Sequence, residues 1–295
     1  MSRKFAPVLS LLCLAFIAAV SVACGGSSHT FTEGCTGGPY NVVGNWTLTV
    51  SGSGGSSSGV GVIDSSGLAI FFQTSTTSPS PGDTVVFPTI TGACSFSGTA
   101  DAYATPASSG VGGTPTSTSE PVQGNVNSAT SITGTISNGN TFTLAPASAL
   151  SGAITPFSGQ GYLGEVEGAA EPIIWNMVFT ATGNNMSFNG FGAQADGSVC
   201  YMSGTFNQEG SGSAALNIFD ISITSLDGGC PIGGTTTGVG FESDSDYFGM
   251  NGHAPGTYLY AVSSSSAFVL EIFQPSTAGA AIHGGRSAGD GKGRN

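Results

Sequence analysis

The stretch Trp46-Thr47-Leu48-Thr49-Val50 places an apolar side chain at every second position, and Trp175-Asn176-Met177-Val178-Phe179-Thr180-Ala181 repeats the pattern. Such alternation predicts a half-buried β-strand, because successive side chains of a strand point to opposite faces. The pairs Asn138-Gly139 and Gly183-Asn184 predict tight turns. Other runs rich in Val, Ile, Phe, Thr and Tyr predict strands at 68–72, 84–87, 131–137, 140–144, 216–223, 239–247, 258–262 and 268–273.

These runs, with no capped helical periodicity outside the N-terminal segment, predict an all-β protein, either an antiparallel sandwich or a lipocalin-like barrel. A short repeat indicates two related β halves, since Cys94-Ser95-Phe96-Ser97-Gly98-Thr99 is similar to Cys200-Tyr201-Met202-Ser203-Gly204-Thr205. We place the halves at 39–150 and 151–275. The spacing from Trp to Cys is 48 residues in the first half and 25 in the second, which predicts an extra hairpin there, built from 68–72 and 84–87.

The chain is strongly acidic. Its 295 residues include 5 Lys and Arg but 17 Asp and Glu, for a formal net charge of −12. No Lys or Arg occurs between Lys4 and Arg286. A surface without cations cannot neutralise phosphates, which excludes most nucleic-acid partners. A charged partner is expected to be a cation or a basic surface.

The N-terminus predicts export. Arg3 and Lys4 precede an apolar stretch at 5–20, and Ser21-Val22-Ala23-Cys24 follows it. Small residues before a Cys resemble a lipobox, so we expect a signal peptide at 1–23, a lipid on Cys24 and a tether at 24–38. The alternative is a conventional signal peptide cleaved near Ala23. Pro-, Gly-, Ser- and Thr-rich composition predicts a surface loop at 105–123 and a disordered tail at 276–295.

Apart from the lipid-bearing Cys24, four cysteines remain in the exported part, and an even number in an oxidising compartment predicts disulfides. Three connectivities are open for Cys35, Cys94, Cys200 and Cys230. We favour Cys35–Cys94 and Cys200–Cys230, because each pair then stays within one half. A zinc site is disfavoured, since no CxxC spacing is present and no His lies near these cysteines.

Two groups of carboxylates are candidate sites. Glu242, Asp244 and Asp246 alternate with serines and could converge on a cation such as Ca²⁺; the alternative is a solvated strand face. Glu165 and Glu167, with Glu171 nearby, could supply the acid and base of a glycoside hydrolase, or they could be exposed strand residues.

Three other patterns are weaker candidates for a functional site. The stretch Gly55-Ser56-Ser57-Ser58-Gly59 matches the nucleophile elbow of serine hydrolases, but no helix follows it and we interpret it as a loop. No histidine is well placed as its base, because His253 lies in a predicted turn. Trp46 and Trp175 could stack on a carbohydrate, although each leads an apolar alternating set and therefore fits a core position better.

Several of these motifs together resemble a known group of proteins. The lipobox, the Gly/Ser tether, the opening Gly44-Asn45-Trp46 and the ending Gly256-Thr257-Tyr258-Leu259-Tyr260 are similar to those of Gly/Ser/Thr-rich lipoproteins predicted from soil bacterial genomes. Those proteins have tandem β-rich halves and no assigned activity. The resemblance implies a β fold and a place in the bacterial cell envelope, in the periplasm or at the outer membrane. It implies no catalytic residue.

We therefore expect a lipid-anchored envelope protein that acts as a non-catalytic binding or surface-interaction module. Its membrane contact would be the lipid on Cys24, and no cofactor is expected unless Ca²⁺ binds. A closed barrel could hold a small apolar ligand. The alternatives are a carboxylate-dependent envelope hydrolase and a Ca²⁺-stabilised adhesion domain.

Overall fold

The structure is a computed structural model of the chain. It describes residues 38–74, 84–104, 116–137, 139–147, 156–166, 174–193, 199–210, 216–226, 230, 234–245, 247, 257–263 and 269–274.

Sixteen strands form two closed antiparallel barrels of eight strands each. The first barrel contains β1 (Gly44–Gly52), β2 (Gly55–Ile63), β3 (Ala69–Gln73), β4 (Thr84–Phe87), β5 (Ser95–Ala104), β6 (Thr116–Ser128), β7 (Ser131–Ile136) and β8 (Thr141–Pro146). The second contains β9 (Gly159–Val166), β10 (Ile174–Thr182), β11 (Asn185–Ala193), β12 (Val199–Gln208), β13 (Phe219–Ser225), β14 (Thr235–Ser243), β15 (Tyr258–Ser263) and β16 (Val269–Phe273). The all-β prediction is confirmed, with two related barrels as the architecture.

Each barrel is a simple meander that closes between its first and last strands. In the first barrel β1 pairs with β8, with Leu48 opposite Leu144. In the second, β16 pairs with β9, with Leu270 opposite Val166. Both hairpins predicted from turn residues are present: Gly139 and Gly183 have positive φ values of 84° and 63°, which glycine adopts without a steric cost.

The alternating apolar residues fill the barrel interiors. Trp46 and Leu48 lie inside the first barrel, and Trp175, Met177 and Phe179 lie inside the second. Trp46 and Trp175 are 2% and 0% exposed. Their assignment to the core is therefore confirmed, and neither indole is available to stack on a carbohydrate.

The two barrels pack against each other through strands that are apolar on both faces. We call this contact the joint. It joins outward-facing residues of β2 and β3 to outward-facing residues of β14, β15 and β16 in one buried cluster that includes Val60, Val62, Ile70, Phe72, Val239, Phe241, Tyr260, Val262 and Val269. The ring of Phe72 lies 5.9 Å from Phe241 and 5.5 Å from Tyr260, between centroids. These rings anchor the joint.

Polar contacts border the joint at Asn217. The Asn45 side chain of β1 donates a hydrogen bond from Nδ2 to the carbonyl oxygen of Asn217, at 3.0 Å. The amide of Asn217 in turn pairs with both backbone groups of Glu242, at 2.7 and 2.8 Å. The side chain next to Trp46 therefore links the first barrel to β14.

Two loop predictions are wrong in part. Residues Gly55–Gly59 belong to β2, which pairs with β1 along its length and with β3 from Gly59 to Ile63. The absence of a side chain at Gly59 allows β3 to pack closely, because a Cβ built there would lie 2.5 Å from the carbonyl oxygen of Phe72. The loop predicted at 105–123 ends earlier, because β6 begins at Thr116 and pairs with β5. No nucleophile elbow exists at Gly55–Gly59, since that motif needs a turn between a strand and a helix.

One predicted disulfide is confirmed. Cys200 and Cys230 are bonded, with their Cα atoms 5.1 Å apart. Cys94 is also disulfide-bonded, and its partner lies outside the described residues. The pairing of Cys94 with Cys35 stays a prediction. Among the described residues, no helix is long and apolar enough to cross a membrane.

Phe72→Ala tests the joint. Phe72 is 1% exposed and packs between rings of the second barrel, so its removal leaves a cavity. We expect a loss of about 3–5 kcal/mol in the free energy of unfolding, measured by urea denaturation. The matched control is Phe191→Ala on β11, because Phe191 is 52% exposed and should cost about 0.5 kcal/mol. Equal effects of the two substitutions would contradict the joint.

Candidate functional site

One end of the first barrel is sealed and the other contains a cavity. At the sealed end Trp46 is buried near Ile63 and Ile90, and its indole nitrogen donates to the carbonyl oxygen of Val42 at 2.8 Å. The cavity lies at the opposite end, where β1 and β7 finish and β2 and β6 begin. It has a volume of about 90 Å³. We call it the mouth cavity.

The mouth cavity is apolar at depth and polar at its opening. Its deeper wall consists of Leu48, Phe71, Phe87, Ala100 and Ile136, all members of the barrel core. The rings of Phe71 and Phe87 meet edge to face, with centroids 5.6 Å apart. The polar residues of the lining come from the ends of strands that face the opening, and they are Ser57, Ser58, Gln73, Thr84, Thr118 and Glu120.

Small side chains create this space. Gly59 on β2, and Ala100 and Ala102 on β5, line the cavity from facing strands. In the second barrel, the corresponding interior carries large residues that include Phe179, Phe188, Phe206, Met186 and Met202.

Two polar groups of the lining define its chemistry. The Nε2 atom of Gln73 is buried, and no hydrogen-bond partner for it lies among the described residues. Glu120 is half-buried, and the hydroxyl of Ser137 donates to its carboxylate. The lining thus contains one carboxylate and two buried polar groups without a partner among the described residues, the Gln73 amide nitrogen and the Thr84 hydroxyl.

A second polar feature lies at the far end of β2, beside the joint. The carboxylates of Asp64, Glu209 and Asp220 come within 4.8 Å of one another, and we call them the acidic group. Asp64 follows β2, Glu209 follows β12, and Asp220 lies on β13, so the group spans both barrels. Among the described residues, these are the side chains whose oxygen atoms could surround a hard cation.

Hydrogen bonds hold two of these carboxylates in place. Glu209 accepts from the backbone nitrogen of Ser65 at 3.0 Å and from its hydroxyl at 3.2 Å. Asp64 uses a single oxygen to accept from the backbone nitrogens of Ser66 and Leu68, at 2.9 and 2.8 Å. The turn after β2 is therefore ordered by its own aspartate and tied to the second barrel by Glu209.

The acidic group carries repulsion that no cation of the described chain relieves. Burial raises the pKa of Glu209, and the charges of Asp64 and Asp220 raise it further, while the bonds from Ser65 oppose the change. Burial and the charge of Asp64 also raise the pKa of Asp220. Both groups hold a proton more readily in the folded protein than in the unfolded chain.

The predicted carboxylate sites lie elsewhere. Glu242 has a buried side chain on β14, Asp244 is exposed beyond the end of that strand, and Asp246 lies outside the described residues. Among the described residues, neither Glu242 nor Asp244 belongs to a group of three side chains that could hold a metal ion. Glu165 lies on β9, whereas Glu167 and Glu171 lie outside the described residues, as does Cys24. The calcium and hydrolase hypotheses at these positions stay predictions.

The sequence did not single out Gln73, Glu120 or the acidic group. Asp64 is followed by two serines and a glycine, a combination typical of a turn closed by an aspartate side chain, and this was a usable signal for the turn. The approach of Glu209 to this turn depends on how the barrels pack.

Comparisons with known proteins add no relative. No family model matches the chain, no curated protein is similar to it, and no solved structure matches its fold.

Glu209→Gln tests the acidic group. The raised pKa means that the contribution of Glu209 to stability is greatest at low pH and is lost as the pH rises through its folded-state pKa, which lies above the ordinary value of 4.5. We expect the variant to melt about 2–4 °C higher than the wild type at pH 7 and at nearly the same temperature at pH 4. Differential scanning calorimetry at the two pH values measures this.

The control for this experiment is Asp101→Asn on β5, which changes a carboxylate that accepts a hydrogen bond from the Ser119 hydroxyl. It should not raise the melting temperature at pH 7 as Glu209→Gln does. A Glu209→Gln protein that melts lower than the wild type at pH 7, together with a wild type stabilised by CaCl₂, would contradict the interpretation as uncompensated repulsion.

Proposed function

We propose that this protein is a non-catalytic binding protein of the bacterial cell envelope, which takes a small, mainly apolar molecule into the mouth cavity of its first barrel. The observation that carries the proposal is the mouth cavity itself, an apolar space of about 90 Å³ with a polar opening in a closed barrel. A lipid on Cys24 would hold the protein at the membrane, as the lipobox-like Ser21-Val22-Ala23-Cys24 suggests.

The shape of the first barrel supports binding. Ligand sites are typically concave, lined mainly by apolar and aromatic side chains, with a few polar groups that fix orientation. The mouth cavity combines the edge-to-face pair Phe71 and Phe87 with polar groups at its opening. Trp46 seals the opposite end, so a molecule would enter and leave at one side only.

The chemistry of the lining supports binding over hydrolysis. Glycoside hydrolysis uses two carboxyl groups on either side of the bond that breaks. Among the described residues, those that line the mouth cavity contribute a single carboxylate, that of Glu120. The acidic group lies at the other end of β2, where the turn backbone and the second barrel cover Asp64 and Glu209.

The test of the proposal is a titration of the full-length protein with 1-butanol, followed by the methyl resonances of Leu48, Val85 and Ile136 in NMR spectra. These methyl groups line the mouth cavity, so they should shift and saturate. Ala102→Phe places a ring in the cavity and should weaken binding by about tenfold or more. Thr143→Phe adds the same ring to an exposed position of β8 and should bind as the wild type does.

Two outcomes would overturn the proposal. One is an absence of saturable shifts at these methyl groups with 1-butanol. The other is equal binding by the wild type and a correctly folded Ala102→Phe protein, because the probe would then bind outside the mouth cavity.

Cys24→Ser tests the membrane attachment. Without the thiol no lipid can be added, so the variant should move from the membrane fraction to the soluble fraction of lysed cells. Cys13→Ser, inside the predicted signal peptide, is the control and should leave the protein with the membrane. Unchanged membrane association of Cys24→Ser would contradict the anchor.

A further inference from the structure

The structure also indicates which class of molecule fits the mouth cavity, and this inference rests on the proposed function. We infer that the ligand is an uncharged short-chain amphiphile whose hydroxyl or amide head bonds to Gln73, and that anionic head groups are rejected. Its alkyl part would lie against Phe71 and Phe87.

The first argument is the unsatisfied amide of Gln73. Gln73 follows Ala69 and Phe71 along the interior face of β3, so its side chain points into the barrel at the opening. Its Nε2 atom is buried and has no hydrogen-bond partner among the described residues. A buried polar atom without a partner costs free energy, which a ligand regains by bonding to it. The Nε2 atom is a donor and therefore needs an acceptor, which a hydroxyl or an amide head supplies and an ammonium head does not.

The second argument is charge. The described residues contain no Lys, Arg or His, so no cation of the described chain lines the mouth cavity. Glu120 places a carboxylate in the lining, and its contact with the Ser137 hydroxyl leaves its charge uncompensated. A carboxylate entering the same opening would lose water and face a like charge at short range. An anionic head is therefore excluded by the site itself.

The third argument is size. The mouth cavity has a volume of about 90 Å³. A water molecule occupies roughly 30 Å³ of liquid, and a cavity of about 150 Å³ is known to hold benzene. The space therefore accepts an alkyl segment of about three or four carbons. Any longer part of a ligand would extend through the opening past Gln73 and Glu120.

A matched series of four-carbon probes tests the inference on the full-length protein at pH 7. The probes are 1-butanol, butyramide, sodium butyrate and n-butylammonium chloride, each titrated against the methyl resonances of Leu48, Val85 and Ile136. We expect the alcohol and the amide to bind most tightly. Butyrate should bind about tenfold or more weakly, because of its charge.

Two variants assign the selectivity to residues. Glu120→Gln should reduce the ratio of butanol affinity to butyrate affinity by about threefold or more, whereas Asp101→Asn, on the outward face of β5, should leave that ratio as it is. Gln73→Leu should weaken butanol about 2- to 10-fold relative to n-pentane, which has the same number of heavy atoms and no hydroxyl.

The outcomes separate the two proposals. Saturable binding of butyrate or butylammonium as tight as that of butanol overturns the inference about the head group and leaves the mouth cavity as a binding site. Affinity ratios that stay unchanged in both Gln73→Leu and Glu120→Gln overturn the same inference. Failure of every probe, n-pentane included, to shift the lining methyl groups overturns the proposed function together with the inference.

Discussion

The architecture depends on the burial of both faces of a few strands at the joint. A strand in an isolated barrel needs apolar residues on its inner face only. Here β2, β3, β14, β15 and β16 are apolar outside as well, and the ring of Phe72 packs on Phe241 and Tyr260. Covering this surface removes a large apolar patch from water. The joint also fixes Glu209 beside the turn after β2 and leaves the opposite end of the first barrel open.

The lack of cationic side chains determines which groups bond to the carboxylates of this protein. The described residues contain no Lys, Arg or His, so their carboxylates form no side-chain salt bridges. Hydroxyl groups and backbone amides bond to the carboxylates instead: Ser65 bonds to Glu209, and the Tyr260 hydroxyl lies 2.5 Å from Glu271. The Tyr260 hydroxyl is also 2.9 Å from the carbonyl oxygen of Ser245. Hydroxyl groups and backbone amides thus take the place of Lys and Arg as partners of these carboxylates.

The fold was largely predictable from local patterns, and the candidate site was not. The alternation around Trp46 and Trp175 identifies the residues that face the barrel interior, and the turn at Gly139 follows from its backbone geometry. Both signals depend only on residues that are neighbours in the sequence. The Gly- and Ser-rich run of β2 lacks this alternation of apolar and polar residues. Close packing against β3 requires a glycine at position 59. Gln73 and Glu120 meet only when the barrel closes, and Glu209 reaches Ser65 only when two barrels pack. Spacing along the chain contains no information on either event.

The difference between the two barrels is a difference of side-chain volume on one backbone design. Both have eight strands and a buried Trp. An eight-stranded barrel has an interior that side chains can just fill. Phe179, Phe188 and Phe206 lie in the interior of the second barrel, whereas Ala100 and Ala102 line the mouth cavity of the first. Unfilled apolar volume costs stability, so these small side chains beside a cavity favour the proposed occupant over the packing of the chain alone.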